Sequence, residues 1–151
     1  MLNWFSQSPQ SDSVVITGAS TGIGAACALA LDKLGYRVFA GVRHSADGER
    51  LQQQAGPRLM PIRLDVTDAA SISAASHTVA AMVGERGLAG LVNNAGIGVA
   101  GPIELLPLAD WRRQFEVNVF GLIAVTQTFL PLIRTGRGRI INMGSIAGRA
   151  S

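Results

Sequence analysis

The chain has 151 residues, 48% hydrophobic and 15% charged, with a net charge of +3. That length suits one domain, and that apolar fraction excludes an intrinsically disordered chain. One cysteine excludes an internal disulfide framework and a multi-cysteine zinc site. No apolar run approaches the roughly 18 residues of a membrane helix, so no membrane span is expected. The opening MLNWFSQSPQSDS has neither the basic nor the apolar region of a secretory signal, so the expected location is cytoplasmic. The basic excess lies in Arg134, Arg137, Arg139 and Arg149, beyond Glu116, the last acidic residue. Without a basic helix face interleaved with aromatics, this is not a nucleic-acid footprint.

Residues 1–12 read as a loose tail, with Trp4 and Phe5 exposed by chance or packed on a neighbour, and residues 13–151 as one domain. Val14 to Thr17 predicts a buried strand ending at glycine. A helix follows from Gly22 to Leu34, its expected apolar face running through Ile23, Cys27, Ala30, Leu31 and Leu34. Gly35 closes it. Tyr36–Val42 predicts a second strand and residues 47–54 a short helix. Leu59–Leu64 predicts a third strand, and Pro61 within it points to a sheet edge. Asp68 caps a helix running to about Val83. Leu88–Val92 is a fourth strand, residues 108–133 a long helix, and Arg139–Met143 a fifth strand. Alternating strands and helices imply a parallel sheet covered on both faces.

In the long helix Trp111, Phe115, Val119, Leu122, Thr126, Phe129 and Ile133 share one stripe, and Asn118 falls on it. A buried amide must be hydrogen-bonded or costs about 1–3 kcal/mol. Taken alone, Asn118 reads as an amide bonded to nearby backbone.

The first strand runs into Thr17-Gly18-Ala19-Ser20-Thr21-Gly22-Ile23-Gly24, and a helix follows. The spacing is neither G-x-G-x-x-G nor a P-loop. The physics is shared: glycine admits a sharp turn, and the free amides at a helix start attract a pyrophosphate. Ser20 and Thr21 add hydroxyl donors.

This turn resembles the cofactor turn of the short-chain dehydrogenase/reductase family. So do Leu64-Asp65-Val66-Thr67-Asp68, Asn93-Asn94-Ala95-Gly96, Asn118-Val119-Phe120-Gly121 and Ile140-Ile141-Asn142-Met143-Gly144-Ser145. The five motifs stand in the family's order across residues 14 to 148. The resemblance implies a doubly wound, Rossmann-like α/β sheet of order 3-2-1-4-5, cut before its last strands. It assigns Gly18, Gly22 and Gly24 to the turn and the Ile23 backbone to the pyrophosphate. Asp65 would accept from the adenine amino group with Val66 alongside. Asn94, Ala95 and Gly96 would line the adenosine ribose. Asn118 would bend its helix and hold a water in a proton relay, and Ser145 would hydrogen-bond the substrate oxygen.

The second strand ends in Gly41-Val42-Arg43-His44, without the acid that would bind a ribose 2′-hydroxyl. Arg43 can instead pair a phosphate bidentately, which favours NADP(H) over NAD(H). Its bland alternatives are stacking on adenine or plain solvation. The family's chemistry also needs a Tyr-x-x-x-Lys pair, the tyrosine lying about a dozen residues past the serine. The only tyrosine here is Tyr36 and the only lysine is Lys33. The expectation is therefore the N-terminal part of an oxidoreductase moving hydride between nicotinamide and a carbonyl or secondary alcohol. Phe39–Arg43 and the Gly98–Leu106 loop look like the branch acting on steroids, retinoids and other lipophilic alcohols. The family commonly pairs through the long helix and the next one, which extends the expectation to a homo-oligomer of the complete protein. The alternative is a non-catalytic nucleotide-binding or interaction protein.

Overall fold

A computed structural model describes residues 12–146. The expected tail therefore lies outside the described residues, apart from Asp12. Five strands form one wholly parallel sheet: β1 (Ser13–Ile16), β2 (Arg37–Val42), β3 (Leu59–Arg63), β4 (Gly90–Asn93) and β5 (Arg139–Asn142). The strand order is β3-β2-β1-β4-β5, as the family resemblance implied. The fold is Rossmann-like α/β. β3 is an edge, where Pro61 removes no needed ladder donor.

The helices are α1 (Gly22–Lys33), α2 (Ser45–Gln52), α3 (Ala69–Val83), α4 (Leu108–Phe115) and α5 (Leu122–Thr135). Strand alternation sorts the core into two layers. Val15, Phe39, Ile62 and Leu91 face α3 and α5 in one cluster with Val79, Val125 and Phe129. Val14, Ile16, Val38, Ala40 and Val92 belong to the other cluster with Ala28 of α1 and Leu51 of α2. Asp68 caps α3 by accepting from the amides of Ala70 and Ser71 at 2.9 and 3.3 Å. Gly35 closes α1 at φ 88°, its amide donating to Asp32 O.

Two helix faces differ from expectation. In α1 the buried residues are Gly24, Ala28 and Asp32. Ile23 and Leu34 are exposed, Ile23 because it stands at the helix mouth rather than over the sheet. In the long helix, Phe115 and Val119 are 50% and 39% exposed, and the buried face is Gly121, Val125, Phe129 and Ile133. The cause is one turn of π-helix, Glu116–Gly121, between α4 and α5. Its extra residue rotates the apolar face, so a stripe drawn at α-helical period crosses from one side to the other.

The π-turn does not interrupt the helix. Residues Leu108–Thr135 contain an 18-residue window of mean hydropathy 1.5, long and apolar enough to cross a membrane by length and composition. This corrects the expectation that no segment reaches that length. It is weak evidence for a span, since the Val125–Ile133 face packs into the core as it would in any central helix.

Candidate functional site

β1 is flanked by β2 on one side and β4 on the other, so the chain leaves it in opposite directions. A crevice opens at such a switch point beyond the carboxyl ends of the strands. Here it is a cleft of about 690 Å³.

Its floor is built from two turns. Thr17 Oγ1 accepts from the amides of both Asn94 and Ala95 at 3.0 Å. The Asn94 side chain donates back to Thr17 O and Gly18 O, each at 3.0 Å. The turns touch so closely that side chains are excluded. A Cβ on Gly18, which has φ 64°, would stand 2.7 Å from Ala95 Cα. One on Gly24 would stand 2.3 Å from Gly18 O and 2.4 Å from Asn94 Nδ2. These glycines bring backbone amides to the floor. The amides of Gly22, Ile23 and Gly24 have no acceptor among the described residues, and Thr21 does not cap them through its side chain. A helix start with free amides suits an anion.

The opposite wall holds Asp65. Its Oδ1 accepts from Thr67 N at 2.9 Å and Thr67 Oγ1 at 2.8 Å. The backbone hydrogen bond from Thr67 holds the carboxyl below its ordinary range. The Thr67 hydroxyl, Arg43 and Arg63 add to that effect, against a partial desolvation that raises it. Asp65 is thus an anionic acceptor lining the same cleft as the glycine turn. An adenine dinucleotide fits this lining: free amides suit its phosphates, and a carboxylate acceptor suits the exocyclic amino group of its base.

Of the sequence-predicted cofactor residues, Gly18, Ser20, Thr21, Ile23, Gly24, Arg43, Asp65, Val66, Asn94, Ala95 and Gly96 line the cleft. Gly22 shapes the turn at φ 59° without lining it. Asn118 lies behind the wall. Its Oδ1 accepts from Ile97 N at 2.9 Å and its Nδ2 donates to Ile97 O at 2.8 Å. The amide therefore clamps the loop after β4, as the isolated reading of Asn118 expected, and it sits in the π-turn. Ser145 is exposed beyond the end of β5 and does not line the cleft. Tyr36 stands just before β2, at the amino end of the strands and so at the opposite end of the sheet from the cleft. Sequence reasoning missed Val117, Arg113 and Glu116, which line the cleft from the long helix. Their signal was hidden because the π-turn sets which residues point there. It also missed Thr67, although an Asp-x-Thr spacing allows this local bond.

A family model described as short chain dehydrogenase matches residues 12–151. The chain belongs to this family. Dehydrogenase/reductase SDR family member 9 of Bos taurus is 45% identical over 137 residues, covering 90% of this chain and 43% of that protein. Retinol dehydrogenase 5 of Mus musculus is 43% identical over 143 residues, covering 93% of this chain and 45% of that protein. The chain thus spans less than half the length of these curated relatives. Among solved structures, the NADPH-bound carbonyl reductase from chicken fatty liver superposes with a TM-score of 0.84 at 34% identity. That match covers 91% of this chain and 61% of the other. The short-chain dehydrogenase family accounts for both the sheet order and the cleft at its switch point.

Proposed function

We propose that this chain is the nucleotide-binding part of an NADP(H)-dependent oxidoreductase acting on a lipophilic alcohol or carbonyl. The observation that carries the cofactor choice is the rim at the end of β2. Arg43 lines the cleft there, and no carboxylate occupies Gly41 to Ser45 to repel a 2′-phosphate. The NADPH-bound carbonyl reductase supports the same reading. The resemblance to a retinol dehydrogenase supports a lipophilic substrate.

When bound, the dinucleotide supplies or accepts the hydride. The chain's own residues bind and orient it. The α1 amides hold the pyrophosphate, Asp65 accepts from the adenine amino group, and Arg43 pairs the 2′-phosphate. Asn118 holds the loop that forms the cleft's far lip. Ser145, beyond β5, hydrogen-bonds the substrate oxygen. The tyrosine and lysine that would move the proton are not among these residues, since Tyr36 and Lys33 stand three apart in the wrong order.

The test is fluorescence titration with NADPH and NADH. Arg43→Ala should weaken NADPH binding about tenfold and NADH binding about twofold or less. Equal losses would refute the 2′-phosphate role. A non-catalytic nucleotide-binding chain is the second reading. NADPH oxidation by the purified chain with a lipophilic ketone would overturn it.

A further inference from the structure

We propose that Arg63, at the end of β3, is the second cation for the adenosine 2′-phosphate and sets cofactor preference jointly with Arg43. The inference rests on the NADP(H) reading above and deepens it.

A second cavity of about 600 Å³ lies between α2 and the β3 edge. It shares Val42 and Arg43 with the main cleft. Arg43, His44 and Arg63 line it, with Glu49 as its acid. Parallel pairing sets Arg63 opposite Val42, the residue before Arg43. The Leu64 amide donating to Val42 O at 2.9 Å holds that register at the strand ends. Both residues therefore stand at adjacent strand ends and line this second cavity, and of the two only Arg43 also lines the main cleft.

Neither guanidinium is committed elsewhere. Among the described residues the ion pairs are Arg50–Asp47 and Arg58–Asp12. Arg43 and Arg63 pair with no carboxylate, not even Glu49 in the shared cavity. Both nevertheless lower the pKa of Asp65, which lines the main cleft, so the field of both reaches the adenosine side of the cleft. A phosphomonoester dianion has three oxygens and takes more than one guanidinium fork. Arg43 alone, exposed on a rim, discriminates weakly because solvent screens it. A second fork anchored on the neighbouring strand adds both charge and orientation.

The experiment is calorimetric titration of the full 151-residue chain with adenosine 2′,5′-bisphosphate and with adenosine 5′-monophosphate. The parent chain should bind the bisphosphate about tenfold more tightly. Arg63→Ala should cut bisphosphate affinity about fivefold and leave monophosphate affinity within about twofold, with Arg63→Lys in between. Monophosphate binding doubles as the control for folding. A variant that keeps the parent's preference overturns the role of Arg63 alone. So does a variant that loses both ligands equally, since its effect is then structural. A parent chain that binds both ligands equally overturns the NADP(H) reading, and this inference with it.

Discussion

Asp65 shows how one side chain is tuned by its neighbours. Its folded-state pKa is lowered, first by the Thr67 backbone bond. A depressed carboxylate contributes stability above its unfolded value, and loses it as pH falls through the folded value. Asp65→Asn should therefore flatten the acid limb of a stability–pH curve followed by thermal melting. It should also weaken nucleotide binding about tenfold, because an amide can present a donor to the adenine amino group. Gly24 makes the complementary point by what it lacks. A methyl there meets Gly18 O and the Asn94 amide, both fixed by hydrogen bonds. Gly24→Ala should destabilise the chain by about 1–3 kcal/mol in urea melts and abolish NADPH binding. Both residues were legible in the sequence, because their motifs specify residue type at fixed spacing. Arg63 was not: the expected order 3-2-1-4-5 already set β3 beside β2, but no motif singles out Arg63, and only the structure shows it sharing a cavity with Arg43.

At the scale of elements, local chemistry was read well and rotational phase was not. The Asp68 cap, the Gly35 stop and the Pro61 edge each follow from a single residue's geometry, and each is found. The fourth strand begins two residues later than expected, at Gly90. Leu88 and Ala89 are as buried as a strand, but they bond to Leu132 O and Ser13 O from the turn before it. The long helix misled more seriously. Hydrophobic periodicity assumes constant pitch, and the π-turn breaks that assumption around Asn118. Asn118→Ala would leave both backbone groups of Ile97 without their side-chain partner. The expected cost is about 1–2 kcal/mol. Hydrogen exchange at the Ile97 amide should speed up while the sheet amides of β1 stay protected.

At the scale of the whole molecule, burial is lopsided. The β3–β2–β1–β4 portion has apolar layers on both faces, whereas every residue of β5 is exposed. Ile140 and Ile141 project to opposite faces and are 36% and 51% exposed, with Met143 at 43%. An apolar edge strand whose outer ladder groups have no strand partner among the described residues invites pairing with another chain. The polypeptide should self-associate at micromolar concentration, and Ile141→Lys should return it toward monomer by light scattering. An unchanged mass distribution would place the association elsewhere.

The contact of Thr17 with Asn94 and Ala95 also bears on how recognition arises in time. The two turns it joins are 77 and 78 positions apart in the chain. A growing polypeptide can pair β1 with β2 and β2 with β3 while β4 is still unmade, because those contacts are nearer in sequence. The cleft floor cannot exist at that stage. The α1 amides, Arg43 and Asp65 are made by then but lack the Asn94–Ala95 turn that completes the floor, so full nucleotide affinity is expected only when β4 slots in beside β1. A ribosome-bound chain stalled before Asn94 has left the exit tunnel should bind nucleotide far more weakly than one released a short distance beyond Ile97.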